Sequence, residues 1–325
     1  KGCKVKIYYT IRELTNVVPE IWALRSLGDE ILQGGRGGGF PWCREHYVTD
    51  YTPQWYQHLD DQHLGIAADA SVLTATGDSR WYNYYIEGLA WMVKHVDIDG
   101  LYLDDVAFGR DMLKRMRHAM DDVKPGCIID LHSNTGFSRG PATQYAEYFP
   151  YVDKVWFGES FMYDEMSPAN WLVEVSGIPF GLMGDMLHGG GNKWLGMQYG
   201  MTVRQPWVTE GVSCDPRYIW QLWDDFGIMD AKMIGFWEEK PAVTSSDKEV
   251  KVTAYVNEKT LLSLGNYSGD KKQVKLTIDW KQLGLNPSSV RMVAPAITDF
   301  QEAREFTPDE SIPVDPKRGW LIIIK

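Results

Sequence analysis

The sequence predicts an α/β protein: a parallel (β/α)8 barrel, with its first strand or strands expected to be lacking in this chain, followed by a C-terminal antiparallel β-sandwich. Three observations carry this. Short apolar strands alternate with amphipathic helices as far as Pro241. Several of those strands finish on acids. Beyond Pro241 the helical period disappears, and polar and apolar residues alternate between turn signals. The expected division is residues 1–243 for the barrel and 244–325 for the sandwich.

The elements follow in order. "KVKIYYTI" (Lys4 to Ile11) is β-branched and aromatic and reads as a buried strand. A Gly-poor stretch from Val18 to Leu32 reads as helical. "QGGRGGGFPW" (Gln33 to Trp42) lacks a preceding strand and GxGxxG spacing, so it reads as a loop and not a phosphate cradle. "SRWYNYYIEGLAWMVKHV" has apolar residues at three-to-four spacing, with Ser79 placed as an N-cap. "IDGLYLDD" is the next strand and "GRDMLKRMRHAMDDV" the next helix. "GCIIDLHSN", "VDKVWFGESF" and "IPFGLMGDM" are strands, separated by the helical stretches "TQYAEYF" and "PANWLVEVSG". "AKMIGFWEE" (Ala231 to Glu239) is the last strand of the series. These make six strands. Leu64 to Ser71 offers one more, and at least one is expected upstream of Lys1. After the linker "TSSDKE", turns at Asn257-Glu-Lys and Asn266-Tyr-Ser-Gly-Asp punctuate a sandwich that ends in "RGWLIIIK".

Bulk properties narrow the function. The formal net charge is −11, which argues against a nucleic-acid partner. No apolar run is long enough to span a membrane. Cys3, Cys43, Cys127 and Cys214 are widely separated and suggest neither a zinc site nor a disulfide framework. Only seven His are present, without HxH or HExxH spacing, and no metal or other cofactor is expected. The 14 Trp and 17 Tyr serve packing first, and also suit the flat apolar faces of sugar rings. A start at Lys1 without Met or leader reads as a trimmed product.

Acids recur where strands end: Asp104 and Asp105, Asp130 with His132, Glu159, Asp185, and Glu238 with Glu239. In parallel barrels the carboxyl ends of all strands face one rim, and that rim carries the active site. Each acid alone has a plain structural reading as a cap, a polar network or a loop residue. A ring of them is harder to dismiss, because buried carboxylates cost free energy unless paired or used. Two carboxylates hydrolyse a glycosidic bond when one attacks the anomeric carbon or activates water and the other protonates the leaving oxygen. Retaining enzymes hold the pair roughly 5–5.5 Å apart.

"DGLYLDD" is similar to the nucleophile strand of retaining (β/α)8 glycosidases of the α-glucosidase and α-galactosidase group. Asp99, Gly100, Tyr102 and Asp104 match its pattern. "YYTIREL", "SRWYNYYIEGL" and "GNKWLGMQYG" extend the likeness to uncharacterised glycoside-hydrolase-like proteins of polysaccharide-degrading bacteria. The resemblance implies an oligo- or polysaccharide substrate and a retaining double displacement. Asp104 would be the nucleophile and Glu159 the acid/base, with Asp185 as its alternative. Asp105 departs from the simplest pattern. Tyr8, Arg12, Glu13, Tyr102, Asp105, Asp130, His132, Trp156, Trp237 and Glu238 would bind substrate. The expected location is secreted, periplasmic or at the cell surface. Two other readings stand beside this one: a non-catalytic carbohydrate-binding barrel, and a metal-dependent hydrolase using Asp130, His132 and Asp185.

Overall fold

The computed structural model describes residues 3–9, 13–15, 56–61, 66–72, 80–104, 109–133, 145–157, 161–186, 191–202 and 215–325. The chain forms two compact units, Lys1–Gly158 with Phe180–Met183, and Glu159–Pro179 with Gly184–Lys325.

The strands are β1 (Lys6–Tyr8), β2 (Glu13–Thr15), β3 (Tyr56–Asp61), β4 (Ile66–Val72), β5 (Gly100–Asp104), β6 (Ile128–Ser133), β7 (Lys154–Phe157) and β8 (Met183–Met186). A five-stranded sheet has the order β1-β5-β6-β7-β8, and β1/β5, β5/β6 and β6/β7 pair in parallel. Helix α1 (Arg80–His95) precedes β5, and α2 (Arg110–Val123) links β5 to β6. Each parallel strand needs such a crossover to return to the same end of the sheet.

Side chains in this sheet segregate by their period of two. Leu101, Leu103, Ile129, Leu131, Val155 and Phe157 share one face and are all buried. The helices supply matching apolar stripes. In α1 the stripe is Trp81, Tyr82, Tyr85, Leu89 and Val93; in α2 it is Met112, Leu113, Met116 and Met120. Burying each large apolar side chain contributes about 1.5–3 kcal/mol, which holds the helices to the strands.

The amino-terminal ends of the strands are tied by two acids used in the same way. Asp99, just before β5, accepts the Val5 N–H at 2.7 Å and ion-pairs with Lys124 at 2.7 Å. Asp153, just before β7, accepts the Ile129 N–H at 2.8 Å and pairs with Arg117 at 2.5 Å. Each acid joins the start of its strand to the start of a neighbour and to a cation at or just beyond α2. Gly100 follows because the β5 and β6 backbones approach closely there: a Cβ would fall 1.9 Å from the Ile128 carbonyl oxygen.

Leu64 to Ser71 does not supply a barrel strand. Ile66–Val72 is extended, but it pairs antiparallel with both β2 and β3 in a separate three-stranded sheet. The Val18–Leu32 helix, the glycine cluster and the Ser79 cap lie outside the described residues.

The second unit holds the sandwich. Its strands are β9 (Lys232–Ile234), β10 (Val243–Ser245), β11 (Val250–Val256), β12 (Thr260–Asn266), β13 (Lys272–Val274), β14 (Leu276–Ile278), β15 (Met292–Ala294), β16 (Arg304–Phe306), β17 (Ile312–Val314) and β18 (Gly319–Ile324). Six form one sheet in the order β16-β15-β18-β12-β11-β9, and β10-β14 and β13-β17 form two ribbons. Val252, Ala254, Leu262, Leu264 and Ile322 of the sheet share a core with Val243, Val274, Ile312 and Val314 of the ribbons. The other sheet face is also covered. Tyr255 donates to the Met197 carbonyl at 2.7 Å, and Gln198 donates to Ser263 Oγ at 3.0 Å. Every residue of β12 is therefore buried, where alternation predicts a solvated face.

The stretch Ala231 to Glu239 is a second correction. Its strand, Lys232–Ile234, pairs antiparallel with β11 at the edge of the sandwich sheet and does not continue the parallel series. Asn266, the first residue of an Asn-Tyr-Ser glycosylation triplet, is fully buried, and its amide nitrogen donates to the carbonyls of Asp270 and Val314. A glycan on this nitrogen would not fit the folded sandwich.

Candidate active site

The second face of the parallel sheet carries the polar residues. The register sets them in rows. Tyr8, Tyr102, Asp130 and Lys154 lie side by side across β1, β5, β6 and β7. One step toward the carboxyl ends, Asp104, His132 and Trp156 form the next row. Residues two apart on a strand share a face, so both rows line one surface, opposite the buried aliphatic face.

The side chains of this surface engage one another. Tyr8 stacks on Tyr102 with centroids 5.9 Å apart. The Tyr102 phenol oxygen lies 2.8 Å from His132 Nδ1, and the Tyr102 ring meets Trp156 edge-on at 6.1 Å. Trp156 Nε1 donates to Asp130 Oδ2 at 3.0 Å, and the Lys6 ammonium ion-pairs with the same oxygen. The Lys154 ammonium sits 4.6 Å from the centre of the Trp156 ring. Asp130 is only 1% exposed. A carboxylate so buried needs a counter-charge, and Lys6 supplies it. Its second oxygen, Oδ1, is buried and meets no donor among the described residues, so one acceptor of the pair is open.

Five residues expected at the site, Tyr8, Tyr102, Asp130, His132 and Trp156, thus fall within one connected cluster. Asp104 takes the register position beside His132 at the carboxyl end of β5. Glu13 holds a position in β2. Arg12, Asp105 and Glu159 lie outside the described residues. Asp185 is buried on β8, within the second unit.

Trp237 and Glu238 belong to the second unit and to different work. Trp237 ends a stack of three rings: it lies 5.3 Å from Tyr199, which lies 5.7 Å from Trp171. The Tyr199 hydroxyl meets that of Tyr267 at 2.9 Å, and burial, followed by the neighbouring Tyr267, pushes its pKa far above the ordinary phenol value. Glu238 does not end a parallel strand. It is exposed, and its carboxylate accepts the Gly235 N–H at 3.0 Å, closing a turn after β9.

Lys6 and Lys154 were not foreseen as site residues. The available signal was periodicity: Lys6 is two before Tyr8, and Lys154 is two before Trp156. Among the described residues no three His, Cys, Asp or Glu side chains converge as a metal site would require. With Lys6 and Trp156 on Asp130 Oδ2, and Tyr102 on His132 Nδ1, the Asp130–His132 pair forms part of a hydrogen-bonding surface. Such a surface of acceptors, donors and ring edges can grip the hydroxyls of a polar ligand and stack on its apolar faces.

No helix among the described residues is long and apolar enough to cross a membrane. No curated protein matches the chain by sequence. Among solved structures, it is similar to the α-amylase of Geobacillus thermoleovorans determined with acarbose, at 14% identity and TM-score 0.60 over 99% of this chain and 77% of that one. An Anoxybacillus α-amylase is similar at 12% identity and TM-score 0.60, over 99% and 75%. The α-amylase of Malbranchea cinnamomea follows at 12% and TM-score 0.50, over 98% and 74%. At these identities the likeness establishes a shared fold. The sequence families are more specific: the glycoside hydrolase 123 TIM-barrel domain matches residues 1–206, and the glycoside hydrolase 123 C-terminal domain matches residues 215–325. With nearly its whole length matched in that order, the chain belongs to glycoside hydrolase family 123 and is an O-glycosyl hydrolase.

Proposed function

We propose that the enzyme cleaves glycosidic bonds of an oligo- or polysaccharide by a retaining double displacement, with Asp104 as nucleophile and Glu159 as acid/base. The observation that carries this is the position of Asp104. It ends β5 on the face that Tyr102, Asp130, His132 and Trp156 share. Carboxyl ends of barrel strands are where catalytic groups sit in this architecture.

In the first step the Asp104 carboxylate forms a bond to the anomeric carbon. The bond to the leaving oxygen breaks, and Glu159 donates its proton to that oxygen. In the second step Glu159 takes a proton from water, and the hydroxide displaces Asp104. Tyr8, Tyr102 and Trp156 would present ring faces and edges to the sugar. Asp130 and His132 would take its hydroxyls. The same reading places the enzyme outside the cytoplasm, secreted, periplasmic or at the cell surface, which fractionation of producing cells would check.

The test is hydrolysis of aryl α- and β-glycosides by wild type and by Asp104→Asn, Glu159→Gln and Asp185→Asn. The anomer first released is read by NMR. Retention is expected. Asp104→Asn should abolish turnover, and Glu159→Gln should lower it about 10²–10⁴-fold. Inversion, or near-normal turnover in Asp104→Asn, would overturn the mechanism. Loss in Asp185→Asn with little loss in Glu159→Gln would move the acid/base role to Asp185.

A further inference from the structure

The C-terminal unit contains a cleft of about 870 Å³ that the parallel sheet does not line. Its walls come from Lys193 and Trp194, from the strap of residues 296–302, and from the start of β18 with Arg318. We propose that this cleft is an accessory saccharide-binding site, built from residues other than those proposed for hydrolysis, that holds a neutral segment of the polysaccharide. It rests on the carbohydrate reading above only for the class of ligand.

The cleft is built rigidly. Lys193 is 5% exposed, and its ammonium donates to the Asp299 carbonyl, which pins the strap. Gln301 fastens the same strap with three bonds: it donates to the carbonyls of Pro295 and Leu321 at 2.8 and 2.9 Å and accepts the Leu321 N–H at 2.8 Å. Two non-glycine residues with positive φ fix the backbone here: Asp299 of the strap at 58°, and Lys317, which precedes Arg318, at 55°. Such conformations cost about 1–3 kcal/mol each and persist where surrounding contacts fix them. Asn192 fixes Lys317 by donating to its carbonyl at 2.9 Å.

Against this fixed frame the exposed polar ends are left for a ligand. No described residue takes the carboxylates of Asp299 or Glu302. The Arg318 guanidinium is exposed and lies 5.0 Å from the Trp194 ring centre. Trp194 and Trp320 are both part-exposed at the cleft. Carboxylates accept from vicinal hydroxyls, a guanidinium donates to them in a fork, and indole covers the apolar face of a pyranose. Acids and a cation together suit an uncharged ligand better than a polyanion. The volume matches sites for ligands of a few rings.

The test uses the full chain carrying Asp104→Asn, so that polymer is not consumed, on immobilised starch, cellulose, xylan, galactomannan and chitin. Wild-type cleft residues are compared with Glu302→Ala/Arg318→Ala, and separately with Trp194→Ala; melting temperature checks folding. Capture of at least one polymer is expected, weakened about tenfold or more by the double substitution. With Asp104 restored, the double variant should hydrolyse aryl glycosides at the wild-type rate and show a raised KM on that polymer. Equal capture by the cleft variants, or capture of none of the polymers, would overturn the proposal. Hydrolysis of aryl glycosides is read separately, so the cleft and the catalytic reading fail independently.

Discussion

Tyr102 and His132 sit on adjacent parallel strands with the phenol oxygen 2.8 Å from the imidazole Nδ1. Tyr102 is in register with Asp130, and His132 with Asp104, so the bond runs diagonally between the two rows of the polar face. It fixes the ring of the residue in register with the proposed nucleophile. Tyr102→Phe keeps the ring and removes the bond. It should cost no more than about 1.5 kcal/mol of stability and lower kcat. Unchanged kcat at unchanged stability would remove Tyr102 from the site.

Lys6, a quarter exposed, and the buried Asp130 form an ion pair on that face. Lys6→Met would strand a carboxylate that is 1% exposed and should destabilise by about 3–5 kcal/mol. Adding Asp130→Asn should recover much of the loss, because no uncompensated charge remains. Urea unfolding of the two single variants and the double variant reads the coupling. Simple additivity would show that the pair is not held as described.

Asp99 gives the protein an acid-sensitive tie. Its hydrogen bond to Lys124, and then that from Val5, hold its pKa below the usual carboxylate value. A group lowered on folding stabilises the native state above its unfolded pKa, near 4, and that stabilisation is lost as pH falls through the lower folded value. Asp99→Asn should therefore lower Tm at neutral pH and converge with wild type at the acid end of the range. A Tm difference that stayed constant from pH 7 to pH 2 would refute this.

Gly100 stands where two backbones nearly touch. Gly100→Ala puts a Cβ 1.9 Å from the Ile128 oxygen, and backbone must move to admit it. A loss of about 3 kcal/mol or more is expected in urea unfolding. A loss under about 1 kcal/mol would mean that β5 and β6 pair less closely there.

Part of the site could be read directly from the chain. Period-two alternation in "GLYLD" and "IIDLHS" assigns Tyr102, Asp130 and His132 to the face opposite Leu103 and Leu131. What alternation cannot give is the partner. Lys6 and Asp130 are 124 residues apart, and only the register of three strands brings them together. Asp99 shows the same gap. In sequence it is the first acid of a motif that resembles a catalytic strand; in the structure it ties strand starts at the far end of the sheet from Asp104.

Two stretches show where local pattern fails. Leu64 to Ser71 and Ala231 to Glu239 both favour extended chain, and both contain strands. Neither entered the parallel sheet, because antiparallel partners β3 and β11 capture them. The sequence by itself determined the alternation of helix and strand, the apolar face of each, and the family. The tertiary structure alone decided which strands pair and which acids are balanced by cations. Extended propensity is a property of a few neighbouring residues, while register and ion pairing depend on groups that folding brings together from distant parts of the chain.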